Sequence, residues 1–198
     1  IVSSGGSLWI SSGGVVSDTT ITAGGLLNVS SGGTATEIKE DGGYVNVNDG
    51  ATVLFASNTF SGLILNSDGS ATLHSGTEAI NPIISGGQMD IFYGGFANEI
   101  TISKGSVIVY YDGTANRTTI LGGSVDVYSK GNANYSVVNS GGSLRVFAGG
   151  VANSATVSIG GQMDIASGCF TTDITEDGGY VKVDDDAYAT FIANTFSG

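Results

Sequence analysis

The chain has 198 residues, of which 33 are glycine, one is proline and 12% are charged, and its net charge is −12. The glycines do not recur at every third position, which excludes a collagen triple helix, and a hydrophobic content of 40% is too high for a disordered linker. With six Lys plus Arg residues, the chain lacks the basic surface that nucleic acids and anionic membranes require. No apolar run approaches the roughly 18 residues of a membrane helix, so we expect a packed domain that is not embedded in a membrane.

Repeat units follow one another along the chain, and most of them begin at a glycine. The unit starts are Gly5, Gly24, Gly42, Asp68, Gly86, Lys104, Gly122, Gly141, Gly160 and Gly178. Most steps are 18 or 19 residues, but the step from Gly42 to Asp68 is 26. A fixed period near twenty residues is typical of stacked repeat architectures. We expect the extra residues, around 55–62, to form a looped-out insertion or a local change in coil shape.

Within each unit, an apolar–polar–apolar pattern follows the corner, as in Leu144, Arg145 and Val146. Alternate side chains of a strand point to opposite faces, so the pattern predicts a short strand with one row in a core and one in solvent. The predicted inward pairs are Leu8/Ile10, Leu27/Val29, Val45/Val47, Ala71/Leu73, Met89/Ile91, Val107/Val109, Val125/Val127, Leu144/Val146, Met163/Ile165 and Val181/Val183.

The rest of each unit is also regular. A small residue recurs after the inner corner, and an apolar residue follows near the end of the unit. The small residues are Ala35, Ala97, Ala115, Ala133 and Ala152; the apolar ones are Ile21, Ile38, Ile102, Ile120, Val138, Val157 and Ile174. Glycine at the corners supplies the positive φ that a sharp turn requires.

One such unit cannot bury its own apolar side chains, whereas stacked units can. The sequence therefore predicts an all-β fold, a right-handed parallel β-helix (β-solenoid) of about ten 18–19-residue coils, forming one segment over residues 1–198. A propeller blade needs about 40 residues and a sandwich needs longer strands joined by hairpins, so neither fits this period.

A longer repeat is superimposed on the short one. Residues 36–62 and 172–198 share most of their sequence at an offset of 136, and GGQMDI occurs at 86–91 and again at 160–165. The chain also starts and stops within a unit. We therefore expect it to be a fragment of a longer array.

Residues that could carry chemistry are few. His74 is the only histidine, no GxSxG sequence is present, and Cys169 is the only cysteine. We expect a turn or solvated histidine, a packed or partly exposed structural thiol, no catalytic residues and no cofactor. The acidic group best suited to bind calcium consists of Asp184–186 with Glu176 and Asp177. The calcium-binding repeat GGxGxD is absent, which favours solvated turn carboxylates over a weak metal site.

Two sets of outward residues are candidates for surface contacts. The first set, Tyr93, Tyr128 and Phe147, is expected near one corner of different coils. These rings either form a binding stripe or only stack on one another. Asp126, Arg145, Asp164 and Lys182 occupy one outward row, where adjacent coils would pair opposite charges as a structural charge ladder. Outward amides and hydroxyls could also bind an identical rod; they are Asn28, Asn46, Thr72, Asn116 and Asn153.

The unit GGSLRVFAGGVANSATVSIGG at 141–161, and its neighbours GGSVDVYSKGNANYSVVNSGG and GGLLNVSSGGTATEIKEDGG, resemble the AIDA-type repeats of bacterial autotransporter adhesins. The resemblance covers nearly the whole chain. It implies a right-handed β-helical passenger that is either displayed at the outer-membrane surface or secreted. Such passengers have roles in adhesion, self-association and biofilm formation.

Three functions remain open at this point. The first is a surface adhesin or self-association module, whose partner is an identical rod or a glycan or protein on a host or bacterial surface. The second is a passive structural stalk that projects another domain. The third is a polysaccharide-degrading β-helix enzyme, whose site would be the charged outward row.

Overall fold

The computed structural model describes residues 1–193, which form parallel β-strands stacked as a solenoid of about ten turns. The predicted all-β parallel solenoid is confirmed. A full turn has three short strands; one example consists of β19, β20 and β21, at Gly142–Val146, Val151–Asn153 and Thr156–Ser158. Within residues 1–193, no helix has the length and apolar character needed to cross a bilayer.

The strands are short, and most of them pair in parallel with the counterpart strand of the next turn. The first ten are β1 (Ser7–Ile10), β2 (Val15–Thr22), β3 (Leu26–Val29), β4 (Thr34–Asp41), β5 (Tyr44–Val47), β6 (Thr52–Phe55), β7 (Asn58–Ser61), β8 (Ile64–Leu65), β9 (Ser70–Leu73) and β10 (Thr77–Ile80). They are followed by β11 (Ile83–Ile91), β12 (Phe96–Asn98), β13 (Thr101–Val109), β14 (Thr114–Asn116), β15 (Thr119–Ile120), β16 (Gly123–Val127), β17 (Asn132–Asn134) and β18 (Val137–Val138). After β19 to β21 come β22 (Gln162–Ile165), β23 (Phe170–Asp177), β24 (Tyr180–Val183) and β25 (Tyr188–Phe191).

The core consists of the predicted inward rows. Val125 and Val127 are fully buried, and Val125 is in register with Leu144, which in turn is in register with Met163. The predicted alanine row is fully buried as well. Val47 and Val183, also predicted to face inward, are 38% and 40% exposed. Each lies in the last strand of its ladder, where an inward side chain has a neighbouring strand on only one side.

Glycine provides two of the three corners in most turns, although Asp112, Lys130 and Asp186 occupy one of these corners in three of them. Gly94, for example, has a φ of 68°, and an added Cβ would lie 3.1 Å from the Cα of Ser75 in the preceding turn. The third corner, between the second and third strands, uses a non-glycine residue in the left-handed region. These residues are Asp18, Glu37, Asn81, Glu99, Arg117, Tyr135, Ser154 and Asp173. The sequence-based expectation of glycine corners therefore covers only part of the turn.

The solenoid has a junction after its third turn. Strands β1, β3 and β5 form one three-stranded sheet and β2, β4 and β6 another, whereas β7 begins a 19-stranded sheet. Residues 58–61, within the region of the expected insertion, pair in register with residues 77–80. The extra residues thus contribute a strand to the stack, and the coil changes shape there.

Side chains replace part of the backbone ladder at this junction, and the buried carboxylate of Glu40 lies at its centre. The hydroxyls of Thr72 and Thr77 donate to it at 2.6 and 3.0 Å, and the backbone N–H of His74 donates at 2.6 Å. The Nδ1 atom of His74 lies 2.7 Å from Glu40 Oε1. Two separate hydrophobic clusters lie on either side, so Glu40 connects the first three turns to the rest of the rod.

We expect Glu40→Gln to weaken this connection, because an amide N–H₂ would replace one of two oxygens that accept from buried donors. The loss should be roughly 2–3 kcal/mol for the first three turns. Hydrogen exchange read by mass spectrometry should show faster exchange in residues 1–55 than in the wild type, with residues 83–165 little changed. The exposed Glu37→Gln removes the same charge and should have no such effect; equal exchange in both variants would contradict the role of Glu40.

Candidate functional site

Six aromatic rings stack in one continuous column along a corner of the rod, which we call the ring column. Its members are Phe55, His74, Phe92, Tyr110, Tyr128 and Phe147. Successive ring centroids are 4.3, 4.6, 4.7, 5.6 and 4.8 Å apart, and no two neighbouring planes differ by more than 10°. Parallel rungs repeat about every 4.8 Å, close to the stacking distance of aromatic rings.

The candidate stripe of Tyr93, Tyr128 and Phe147 falls on two columns. Tyr128 and Phe147 are adjacent members of the ring column. Tyr93 follows the ring-column position by one residue and stacks instead on Tyr111, with centroids 6.4 Å apart. Lys130 lies over the Tyr111 ring at 4.6 Å and donates to its hydroxyl. The sequence reasoning missed Phe92 and His74 as stack members, although both share a register position with Tyr128.

His74 is a structural residue of the junction. Its ring is stacked between Phe55 and Phe92 while its Nδ1 atom contacts Glu40. Both faces and one edge of the imidazole are therefore occupied by the protein, in contrast to the solvated or turn histidine that the sequence led us to expect.

The charged outward row is only partly a ladder. Arg145 donates two hydrogen bonds of 2.6 Å to the Asp126 carboxylate in the neighbouring turn. Asp164 accepts instead from Gln162 in its own strand. Lys182 pairs with Asp184 at 2.7 Å, and this hydrogen bond raises the pKa of Lys182.

A surface groove of about 380 Å³ lies where the ring column ends. The turn after Phe147 carries Ala166 at the ring-column position, so no ring covers the site there. We call it the Ala166 groove. Its lining includes Phe147, Ala166, Arg145, Gln162, Asp164 and Lys182.

Asp90 is a buried carboxyl near the junction. Burial raises its pKa, while hydrogen bonds from Gln88 and Tyr44 act in the opposite direction. Gln88 Nε2 donates to Asp90 Oδ1 at 2.8 Å. The pKa of the Tyr44 hydroxyl is raised by burial and by the nearby charge of Asp90.

The thiol of Cys169 and the acidic corners are the remaining candidates for chemistry in residues 1–193. Cys169 is buried, its Sγ lies 3.2 and 3.1 Å from the carbonyl oxygens of Val146 and Phe147, and burial raises its pKa. No three His, Cys, Asp or Glu side chains of the described part converge as metal ligands, and the acidic group at 184–186 is included in that search.

Residues 125–179 match a family described as "Adhesin of bacterial autotransporter system, probable stalk" (AIDA). This stretch consists of AIDA-type adhesin repeats. The resemblance noted from the sequence is thereby confirmed for residues 125–179. The match supports an adhesin-like autotransporter passenger, a class that is displayed at the bacterial cell surface, and a non-enzymatic role.

One solved structure is also similar to the chain. It is a crystal structure of a TibC-catalyzed, hyper-glycosylated TibA fragment, with 28% identity over 95% of this chain and 88% of that one, and a TM-score of 0.42. No curated protein matches the chain.

The raised pKa of Asp90 predicts the sign of a pH effect. The Asp90 carboxylate binds a proton more tightly in the folded chain than in the unfolded chain. The resulting stabilisation is present below the unfolded aspartate pKa of about 3.9 and is lost as the pH rises through the folded value. Asp90→Asn should therefore raise the thermal midpoint near neutral pH and have little effect at about pH 3. Asp112→Asn at an exposed corner removes the same charge; a gain equal to that of Asp90→Asn at neutral pH would contradict the prediction.

Cys169 should be unreactive in the folded chain, because its thiol is buried and its raised pKa disfavours the thiolate. A chromogenic disulfide reagent should label it only after denaturant is added. A Ser167→Cys variant, which places a second thiol at an exposed corner, should react at once and serves as the control. Rapid labelling of the native wild type would show that the thiol is accessible.

Proposed function

We propose that this chain is a self-associating adhesive rod that contacts identical rods side to side through one uncharged face. The face is formed by the outward residues of the second strands from β12 to the start of β23, and we call it the amide face. Its residues are Phe96, Asn98, Thr114, Asn116, Asn132, Asn134, Val151, Asn153, Phe170 and Thr172. The single observation that carries the proposal is that none of these ten outward positions holds a charge.

The absence of charge matters because each rod has a net charge of −12. Two copies repel one another unless they meet where carboxylates are excluded. The first-strand row presents Asp126, Arg145, Asp164 and Lys182, whereas charged residues lie only at the borders of the amide face: Glu78 in the preceding turn, and corner residues such as Glu99 and Arg117. Of these two faces, the amide face is thus the one on which two rods approach with less repulsion.

The amides of this face are held in order by bonds along the rod. Asn116 donates to Asn98 at 2.7 Å, and Asn153 donates to Asn134 at 3.2 Å. An amide has two N–H donors and a carbonyl oxygen with two lone pairs, so a bond along the ladder leaves capacity for a bond to a second copy. Two of the outward residues that the sequence suggested for rod-to-rod contacts, Asn116 and Asn153, lie on the amide face. Thr72, another of them, is buried, and its hydroxyl donates to Glu40, so it cannot contact a second rod.

Repetition supports an adhesive role. Each turn presents a similar set of groups one rung higher, so contacts that are weak singly add up along two aligned rods. The same passenger role includes adhesion to a surface glycan or protein, whether the chain is displayed at the outer membrane or secreted. The second candidate is a passive stalk, which the words "probable stalk" in the family description favour. Cleavage of acidic glycans has less support, because Asp164 and Lys182 are already engaged by Gln162 and Asp184.

The double variant Thr114→Glu with Asn132→Glu places two carboxylates on the amide face in adjacent turns. Sedimentation equilibrium should show concentration-dependent association of the wild type and at least tenfold weaker association of the variant, by about 1.4 kcal/mol or more. Clumping of cells that display the segment should fall in parallel.

Ser124→Glu with Ser143→Glu is the matched control, since it adds the same charge on the first-strand face of adjacent turns. A wild type that stays monomeric, or an equal loss in both double variants, would favour the stalk.

A further inference from the structure

At its C-terminal end, the ring column leaves one face of the Phe147 ring uncovered. Phe147 stacks on Tyr128 with centroids 4.8 Å apart and planes 9° from parallel. On its other side the next turn supplies Ala166 and the turn after that Asp184, so no ring of the described chain stacks on that face. Every interior member of the column has a ring on each side, which makes Phe147 different from Phe92 or Tyr110.

The missing ring leaves a slot of suitable size. Adjacent rungs lie about 4.8 Å apart, so the space from Phe147 across Ala166 to Asp184 spans about two rungs. The Ala166 groove that results has a volume of about 380 Å³. Small-ligand sites in proteins start at about 300 Å³, and one six-membered ring with its substituents fits between the two turns.

The walls of the groove are polar but balanced in charge. Arg145 and Lys182 are cationic, Asp164 and Asp184 are anionic, and Gln162 adds an amide. The two cations each bind a carboxylate, Arg145 with Asp126 and Lys182 with Asp184. The groove therefore offers many hydrogen-bond donors and acceptors around an apolar floor without attracting a strongly charged ligand.

We propose that the Ala166 groove binds one neutral pyranose ring of a glycan. The C–H face of the sugar lies on the Phe147 ring, whose π face is electron-rich. The hydroxyls hydrogen-bond to the donor and acceptor positions that Asp164, Gln162 and Arg145 keep besides their bonds to one another and to Asp126. The ligand thus takes the place of the missing ring in the column. This site is on the first-strand side of the rod and is independent of the amide face.

A sugar fits better than an aromatic side chain of a partner protein. A purely apolar ring in the slot would desolvate the Asp164 carboxylate and the Gln162 amide without replacing their bonds to water, which is costly. A pyranose has hydroxyls around its whole edge and one apolar face, which matches the wall and the floor.

The site is not a general property of the repeat. At the offset of 136 residues, Ser11 corresponds to Phe147, Ser30 to Ala166 and Asn48 to Asp184. The earlier copy therefore has no ring on which a sugar could stack, so the proposed site belongs to the later copy alone.

Saturation-transfer NMR on the whole chain, with the methyl pyranosides of glucose, galactose and mannose as probes, tests the proposal. We expect at least one of them to receive saturation from the protein. Ala166→Phe should abolish the signal by filling the slot, and it should raise the thermal midpoint because the ring column continues. Phe147→Leu should weaken binding about fivefold to tenfold through loss of the stacking face.

Phe92→Leu is the matched control, because it removes a ring whose two faces are already covered, and it should leave sugar binding unchanged. The amide-face double variant should also bind as the wild type does, which separates this test from that of self-association. The proposal is wrong if no pyranoside binds, if Ala166→Phe binds as well as the wild type, or if tyrosine amide binds in a Phe147-dependent manner while the sugars do not.

Discussion

Parallel hydrogen bonding between successive turns is the constraint on which this structure depends. It sets a spacing of about 4.8 Å and brings each residue directly above its counterpart one unit earlier. Any side chain that recurs at one position then forms a row along the rod. Buried rows such as Val125, Leu144 and Met163 form the core, and rows of planar or amide groups stack on the surface. The repeat period of the sequence is therefore enough to specify which residues lie next to one another in successive turns.

The same constraint explains why the junction is built from polar side chains. An insertion of about one strand displaces the rows, so backbone groups of β5 and β9 no longer pair regularly. The hydroxyl of Thr72 accepts the N–H of Val45 and donates to Glu40, replacing part of the lost ladder. A buried carboxylate is unfavourable unless donors surround it, and four donors from one following segment meet that condition. The junction therefore joins two stacks that differ in register.

The surfaces follow from the distribution of charge among the rows. Carboxylates and cations occupy the first-strand row and the corners, while the second-strand row from β12 to the start of β23 carries amides, hydroxyls, Val151 and two rings. In a chain with so few cations, this separation gives two sides of different character. One side suits contact with a like-charged copy, and the other has a small polar groove beside an aromatic ring. Contact with an identical rod and contact with a small polar ligand are both compatible with an adhesin-like passenger.

The sequence alone determined the stack, its period, the inward rows and the alanine row, because each depends only on which residues recur at a fixed offset. It also predicted the family, since the repeat pattern is what the family shares. The tertiary structure decided what recurrence could not express: that residues 58–61 join the ladder, that Glu40 lies between two stacks, and that Tyr93 stands in a different column from Tyr128. It also decided that the Ala166 position is a gap. These features arise where the period is broken, or where two neighbouring positions of a turn both carry side chains that could stack. Which contact forms there depends on the packing of the side chains, and the period alone does not determine it.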